Sequence, residues 1–183
     1  MINTRGRLAR EPEAVFALIR GEDIIVCTET WLGEADNPAQ LPGYVAFHFP
    51  RPAPGRRQAQ GAARGGVVVY VSQTLARHTT VWRKSAQGTH AWIRIDRAAG
   101  LADTLLLAAC YIPPKQRNTL SRDSAEAWDS LTADIAAAQA EGMVLLAGDL
   151  NARTATLPDW DHNDHMDGAL QCWTWCCTAR GRS

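Results

Sequence analysis

A chain of 183 residues, 46% of them hydrophobic, is long enough to bury one sizeable core. Its 19 basic and 19 acidic residues cancel, which excludes a polyanion affinity carried by total charge. The N-terminus, MINTRGRLAR, lacks the apolar segment of an export signal, and no run reaches membrane-spanning length. The expectation is a soluble, intracellular protein, nuclear or cytoplasmic, that makes no membrane contact.

In chain order, Pro12 followed by Val15, Phe16, Leu18 and Ile19 predicts a short amphipathic helix, with proline in its first turn and Gly21 ending it. DIIVCT (23–28) reads as a buried strand and YVAFHF (44–49) as a second. From Pro50 to Arg64 the composition turns to Pro, Arg, Gln, Gly and Ala, a loop. GVVVYVS (66–72) is a strong strand, Val81–Trp82 belong to another, and HAWIRID (90–96) alternates as a half-buried strand does. TLLLAACYI (104–112) is a buried strand stopped by Pro113 and Pro114. Trp128, Leu131, Ile135 and Ala138 recur at helical spacing after a Ser/Asp-rich start, giving a helix to about Glu141 with Gly142 as its stop. MVLLAG (143–148) is the last strand. Beyond Thr156 the periodicity ends, and residues 157–183 read as an irregular tail on one domain spanning residues 1–156. Short connections among many strands predict a mixed, largely antiparallel α/β architecture.

Charge and cysteine are unevenly placed. No acidic residue occurs between Asp36 and Asp96, a stretch holding Arg51, Arg56, Arg57, Arg64, Arg77, Arg83, Lys84 and Arg94. Such a stretch suits a phosphate-facing surface, or equally a solvated loop; Arg56, Arg57 and Arg64 are the candidate nucleic-acid contacts. Of five cysteines, Cys27 and Cys110 lie in apolar runs and read as core residues, and no disulfide framework is evident. His162, His165, Cys172, Cys176 and Cys177 match no familiar zinc spacing. Trp82, Trp92 and Trp128 are expected in the core and Trp31 beneath the site, while His48, His78 and His90 are isolated and receive no role.

Two carboxylates follow buried strands: Glu29 after DIIVCT and Asp149 after MVLLAG. A hard cation such as Mg²⁺ takes oxygen ligands and keeps several waters, so one or two carboxylates suffice. If the chain stays extended beyond Asp149, Asn151 points to the same face. The other reading makes both acids ordinary strand-end residues, with Asp149–Asn151 forming a turn.

DIIVCTETWL (23–32), RGGVVVYV (64–71), ACYIPP (109–114) and GDLNAR (148–153) occur in the order seen in the endonuclease/exonuclease/phosphatase superfamily. The chain resembles in particular the endonuclease domain that precedes reverse transcriptase in non-LTR retrotransposons. The resemblance covers about Asn3 to Arg153. It implies a DNase I-like four-layer sandwich of two mixed, mainly antiparallel sheets flanked by helices, of class α/β. It implies hydrolysis of nucleic-acid phosphodiesters, DNA above all, with Mg²⁺ or with Mn²⁺ in its place, and no obligate protein partner. Residue by residue it implies Glu29 as metal ligand, Asp149 as the group acting on the attacking water, Asn151 as a contact to the scissile phosphate and Tyr111 as a donor to a phosphate oxygen. Asn3, in INTRG, matches the asparagine of the first motif and joins Glu29 at the metal.

The family pattern also has later strands and a Ser-Asp-His motif several dozen residues past GDLNA. Asp164–His165 comes too early to stand for it. The expectation is a domain incomplete at its C-terminus, and the competing reading is a catalytically inactive remnant that at most binds nucleic acid.

Overall fold

The computed structural model describes residues 1–19, 21–51, 65–112 and 122–151. In order these form β1 (Ile2–Asn3), α1 (Arg7–Arg10), α2 (Pro12–Phe16), β2 (Ile24–Thr28), β3 (Tyr44–Phe49), β4 (Val67–Ser72), α3 (Gln73–Ala76), β5 (Thr79–Lys84), β6 (His90–Ile95), a 3₁₀ turn at Arg97–Ala99, β7 (Leu105–Tyr111), α4 (Arg122–Gln139) and β8 (Met143–Asp149). No helix among them is long and apolar enough to cross a membrane.

Two four-stranded sheets run in the orders β1-β2-β4-β3 and β5-β6-β7-β8. Only β1–β2 and β7–β8 are parallel; the other pairs are antiparallel. A parallel neighbour needs a long crossover, and α4 supplies it between β7 and β8.

The runs of β4 and β7 show no polar alternation because both of their faces are covered. Val67, Val69 and Val71 turn inward with Val26 and Phe49, against Ala91, Ile93, Ile95, Leu107, Ala109 and Tyr111 of the opposite sheet. Val68 and Tyr70 turn outward with Ile25 and Cys27, beneath Leu8 of α1 and Val15 of α2. On the far side, Trp92, Leu106, Ala108 and Cys110 pack under Ala127, Leu131 and Ala138 of α4. Helix, sheet, sheet and helix thus stack around three apolar seams, the mainly antiparallel α/β sandwich that the sequence implied. Burial pushes the thiols of Cys27 and Cys110 up to about 12, which makes both of them inert core groups.

Some details differ from the sequence reading. The N-terminal helix stops at Phe16, with α1 preceding it. Helix α3, a single turn, was not expected, and β5 extends to both sides of Val81–Trp82. His90 is not isolated: it is buried, and its Nε2 lies 3.1 Å from Asp134 Oδ2, while Arg83 donates to Oδ1 of the same carboxylate at 2.6 Å. This cluster ties α4 to sheet β5–β8. Trp92 is fully buried, with Trp82 edge-on to it at 5.6 Å. The calls on Arg56, Arg57, Arg64, His162, Asp164, His165, Cys172, Cys176, Cys177 and the tail 157–183 lie outside the described residues.

Candidate active site

The strand ends of both sheets converge at one edge of the sandwich. Glu29 follows β2 directly, and Asp149 closes β8 in register with Tyr111 at the end of β7. Asn3, the last residue of β1, joins the two sheets. Its Nδ2 donates to Glu29 Oε1 at 2.8 Å and to Asp149 Oδ2 at 3.2 Å. Acids 120 positions apart in sequence therefore share one amide donor.

Local chemistry fixes each group. Thr4 Oγ1 donates to the carbonyls of Thr28 and Glu29, both at 3.0 Å, and the Gly6 N–H donates to the Glu29 carbonyl at 2.7 Å. These bonds hold Glu29 in the left-handed region, at φ 51°. The first glycine of GDLNA is a steric requirement. Gly148 has φ 148°, and a Cβ there would stand 2.0 Å from the carbonyl oxygen of Cys110, its register partner. Only glycine lets β8 lie this close to β7 just before it delivers Asp149.

Asn151 departs from the extended expectation. It sits at φ 45°, its N–H donates to Asp149 Oδ1 at 3.0 Å, and its Nδ2 donates to the Ile112 carbonyl at 2.8 Å. The segment is a turn closed by the aspartate, because that short side chain caps the N–H two residues on more easily than the strand continues. One Nδ2 hydrogen is committed to Ile112; the second remains to the amide. Tyr111 is buried with the core between the sheets, its ring edge 3.2 Å from where a Cβ on Gly65 would stand, and its N–H donates to the Thr89 carbonyl. Trp31 packs against Gly6: a Cβ on Gly6 would meet its ring at 2.2 Å.

Burial raises the Asp149 carboxyl above the usual carboxylate range, and the nearby Glu29 charge adds to the rise. The Asn151 N–H, the Asn3 amide and the Arg5 guanidinium oppose it. Arg5 is a group at this edge to which neither motif nor periodicity gave a role. A cavity of about 190 Å³ lies along the same edge, among Phe49, Val67, Lys84, Ser85 and His90. Its Ser85 hydroxyl and His90 ring are engaged in internal bonds, to Thr89 and the His90 N–H and to Asp134 respectively.

The donor set suits a hard divalent cation. Among the described residues no group of three or more His, Cys, Asp and Glu gathers. Two carboxylates that share a single amide, together with the Asn3 side chain, offer oxygen ligands and leave the remaining positions to water, the arrangement Mg²⁺ prefers. What the cluster can do is hold a cation, place an ionisable carboxylate beside it, and offer the second Asn151 amide hydrogen from the adjoining turn.

Comparisons agree with this architecture. The chain superposes on a 3'-5' exonuclease from Neisseria meningitidis with a TM-score of 0.51 at 16% identity, covering 81% of this chain and 54% of that one. It superposes on truncated TDP2 from Caenorhabditis elegans with a TM-score of 0.50 at 16% identity, covering 86% of this chain and 64% of that one. The chain thus spans less than two thirds of the length of these structures. No curated protein matches it. Residues 2–182 match the model of the endonuclease/exonuclease/phosphatase family, and the chain belongs to that family.

Proposed function

We propose that this chain hydrolyses phosphodiester bonds of nucleic acid, with DNA as substrate, as the endonuclease module of a retroelement. The observation that carries the reading is the Asn3 amide bonded to Glu29 and Asp149 at once. It unites acids from separate sheets at the edge where Tyr111 ends β7 and Asn151 follows β8 in a turn. The wording of TETW, CYIPP and GDLNA, which resembles the retroelement endonucleases, supports the finer assignment.

Glu29 and Asn3 would hold Mg²⁺, with Mn²⁺ able to replace it; the bound ion supplies positive charge against the phosphoryl oxygens. The chain's own groups do the rest. Asp149 takes the proton of the attacking water as its oxygen bonds to phosphorus, while the P–O bond to the leaving sugar oxygen breaks and that oxygen departs as an alcohol, taking a proton from solvent. It must be ionised to do so, and the Asn151 N–H and the Asn3 amide, both donating to its carboxylate, favour that form. Asn151, held by Ile112, and Tyr111 donate to the non-bridging oxygens as their charge grows in the transition state. The second proton on Asn151 Nδ2 is the one assigned to that task. Because these donors are fixed by strand ends and by a turn, little reorganisation accompanies the reaction.

The test is conversion of supercoiled plasmid to open circles by the purified chain with Mg²⁺, beside Asp149→Ala. Nicking by the wild type that falls at least about 100-fold in the variant is expected. Nicking that is unchanged by the substitution removes Asp149 and this reading with it.

A further inference from the structure

Four non-glycine residues among those described have left-handed backbones: Arg5 (φ 45°), Glu29 (51°), Trp31 (57°) and Asn151 (45°). All four lie at the same edge of the sandwich. Such a conformation costs about 1 kcal/mol or more for a residue with a Cβ, and it persists only where surroundings enforce it. Glu29 and Asn151 belong to the site already described, and Trp31 is the packing beneath it. Arg5 is the remaining member, and arginine lacks the short polar side chain that eases this region for Asn and Asp.

Its surroundings do enforce it. The Arg5 N–H donates to Asn3 Oδ1 at 3.2 Å, so the amide that bridges the two carboxylates also holds Arg5. Arg10 grips the loop from the other side, donating from Nη2 to the Arg5 carbonyl at 3.3 Å and from Nε to the Gly6 carbonyl at 3.4 Å. The Arg10 guanidinium itself lies 5.7 Å above the Trp31 ring. The backbone of Arg5 is therefore bound on both sides, yet its side chain is exposed and makes no hydrogen bond or ion pair among the described residues. Two residues on, Arg7 is by contrast paired with Glu11 at 2.9 Å. The Arg5 charge is near enough to Asp149 to oppose that carboxyl's protonation, but it closes no salt bridge with it.

We infer that Arg5 is a substrate-binding residue of this site, offering its guanidinium to a non-bridging phosphate oxygen of the nucleic-acid strand. This rests on the phosphodiesterase reading above. A guanidinium presents paired N–H donors that suit phosphate, and mounting it on a restrained loop spares the backbone ordering that a mobile loop would lose on binding. As a contact made to bound substrate, it acts on binding more than on the chemical step.

The experiment uses the full chain and a fluorescein-labelled 20-base-pair DNA duplex, in EDTA, followed by anisotropy across a salt series. Arg5→Asn is chosen because Asn tolerates the left-handed backbone, and Arg5→Lys keeps the charge. Arg5→Asn is expected to weaken binding about five- to tenfold and to flatten the log–log salt slope by about 0.9, the loss of one phosphate contact, while Arg5→Lys retains the slope. With Mg²⁺, Arg5→Asn should raise KM for nicking and leave kcat within about threefold. Unchanged affinity and slope in Arg5→Asn would overturn the inference, as would an effect confined to the pH profile, which marks a residue that only tempers Asp149. Wild type that nicks DNA while Arg5→Asn behaves identically refutes the Arg5 role alone. Wild type that neither binds nor nicks refutes the phosphodiesterase reading, and this inference falls with it.

Discussion

Replacing Gly148 by alanine separates geometry at the site from stability elsewhere. A Cβ at Gly148 would lie 2.0 Å from Cys110 O and 2.6 Å from Cys110 N, both of them backbone atoms, whereas real Cβ atoms essentially never approach within 3.0 Å. The shortfall is about 1 Å, and it can be relieved only by parting β7 from β8 next to Asp149. Forcing volume into a packed seam costs about 1–3 kcal/mol. For a chain of this size that lowers Tm by roughly 3–10 °C. A displacement of about 1 Å at a positioned catalytic group costs on the order of 100-fold in rate. Gly142→Ala is the control. Its Cβ would meet Thr104 O at 2.3 Å, a comparable backbone clash, but at the opposite end of β8, about 20 Å along the strand from Asp149. Both variants should lose stability by thermal denaturation, Gly148→Ala the more because its φ of 148° strains any residue with a Cβ. Only Gly148→Ala should lose about 100-fold in nicking rate per folded molecule, with Gly142→Ala within about threefold of wild type. Equal nicking rates per folded molecule in the two variants would refute the claim that Gly148 positions the site.

Other consequences can be checked in the same preparations. In the metal-free chain the Asp149 carboxyl, raised by burial, should titrate above the usual carboxylate range when followed by carboxyl-carbon NMR in EDTA; Arg5→Asn, by removing an opposing charge, should move that titration further up. A metal-free titration at the ordinary carboxylate value would contradict the burial of Asp149. If Glu29 ligates Mg²⁺, saturating Mg²⁺ should raise Tm of the wild type and not of Glu29→Gln, as measured by differential scanning fluorimetry. Leu131 of α4 is fully buried, and Leu131→Ala should cost about 2–5 kcal/mol by chemical denaturation. Burial lowers the His90 pKa despite the opposing hydrogen bond and charge of Asp134. The sign follows: the folded state prefers neutral His90, so that part of the stability is full above about pH 6.5 and is lost as pH falls towards the lower folded value. His48 is shifted in the same sense, again by burial first, so His90→Gln should flatten the acid-side decline only in part. A decline of unchanged steepness in His90→Gln would rule out His90 as a source.

The strands were readable from sequence for a physical reason. VVVYVS and TLLLAACYI are buried on both faces, and a continuous β-branched or aliphatic run has few other places to go. Elements that owe their existence to tertiary pairing left no such trace. Strand β1 is two residues whose identity comes from lying beside Cys27 and Thr28, and α3 is one turn, too short to show a period. His90 looked isolated because its partner, Asp134, lies 44 positions away on a different element. At the site, Glu29, Asp149, Asn151, Tyr111 and Asn3 were visible as motif residues, and the structure brings Asn3, Glu29 and Asp149 into direct contact. The turn at Asn151 is a choice between two local hydrogen-bonding options that spacing cannot separate. Arg5 carries no signal in composition or pattern; only its backbone angle and its clamp set it apart.

The central claim is that acids from two different sheets make one phosphodiesterase site. A double-mutant cycle on plasmid nicking tests it most directly, with Glu29→Gln, Asp149→Asn and the pair. Residues that act as a unit are non-additive: each single change should remove nearly all the activity that the double change removes. Losses that multiply independently, or a single variant that nicks like wild type, would contradict a shared site.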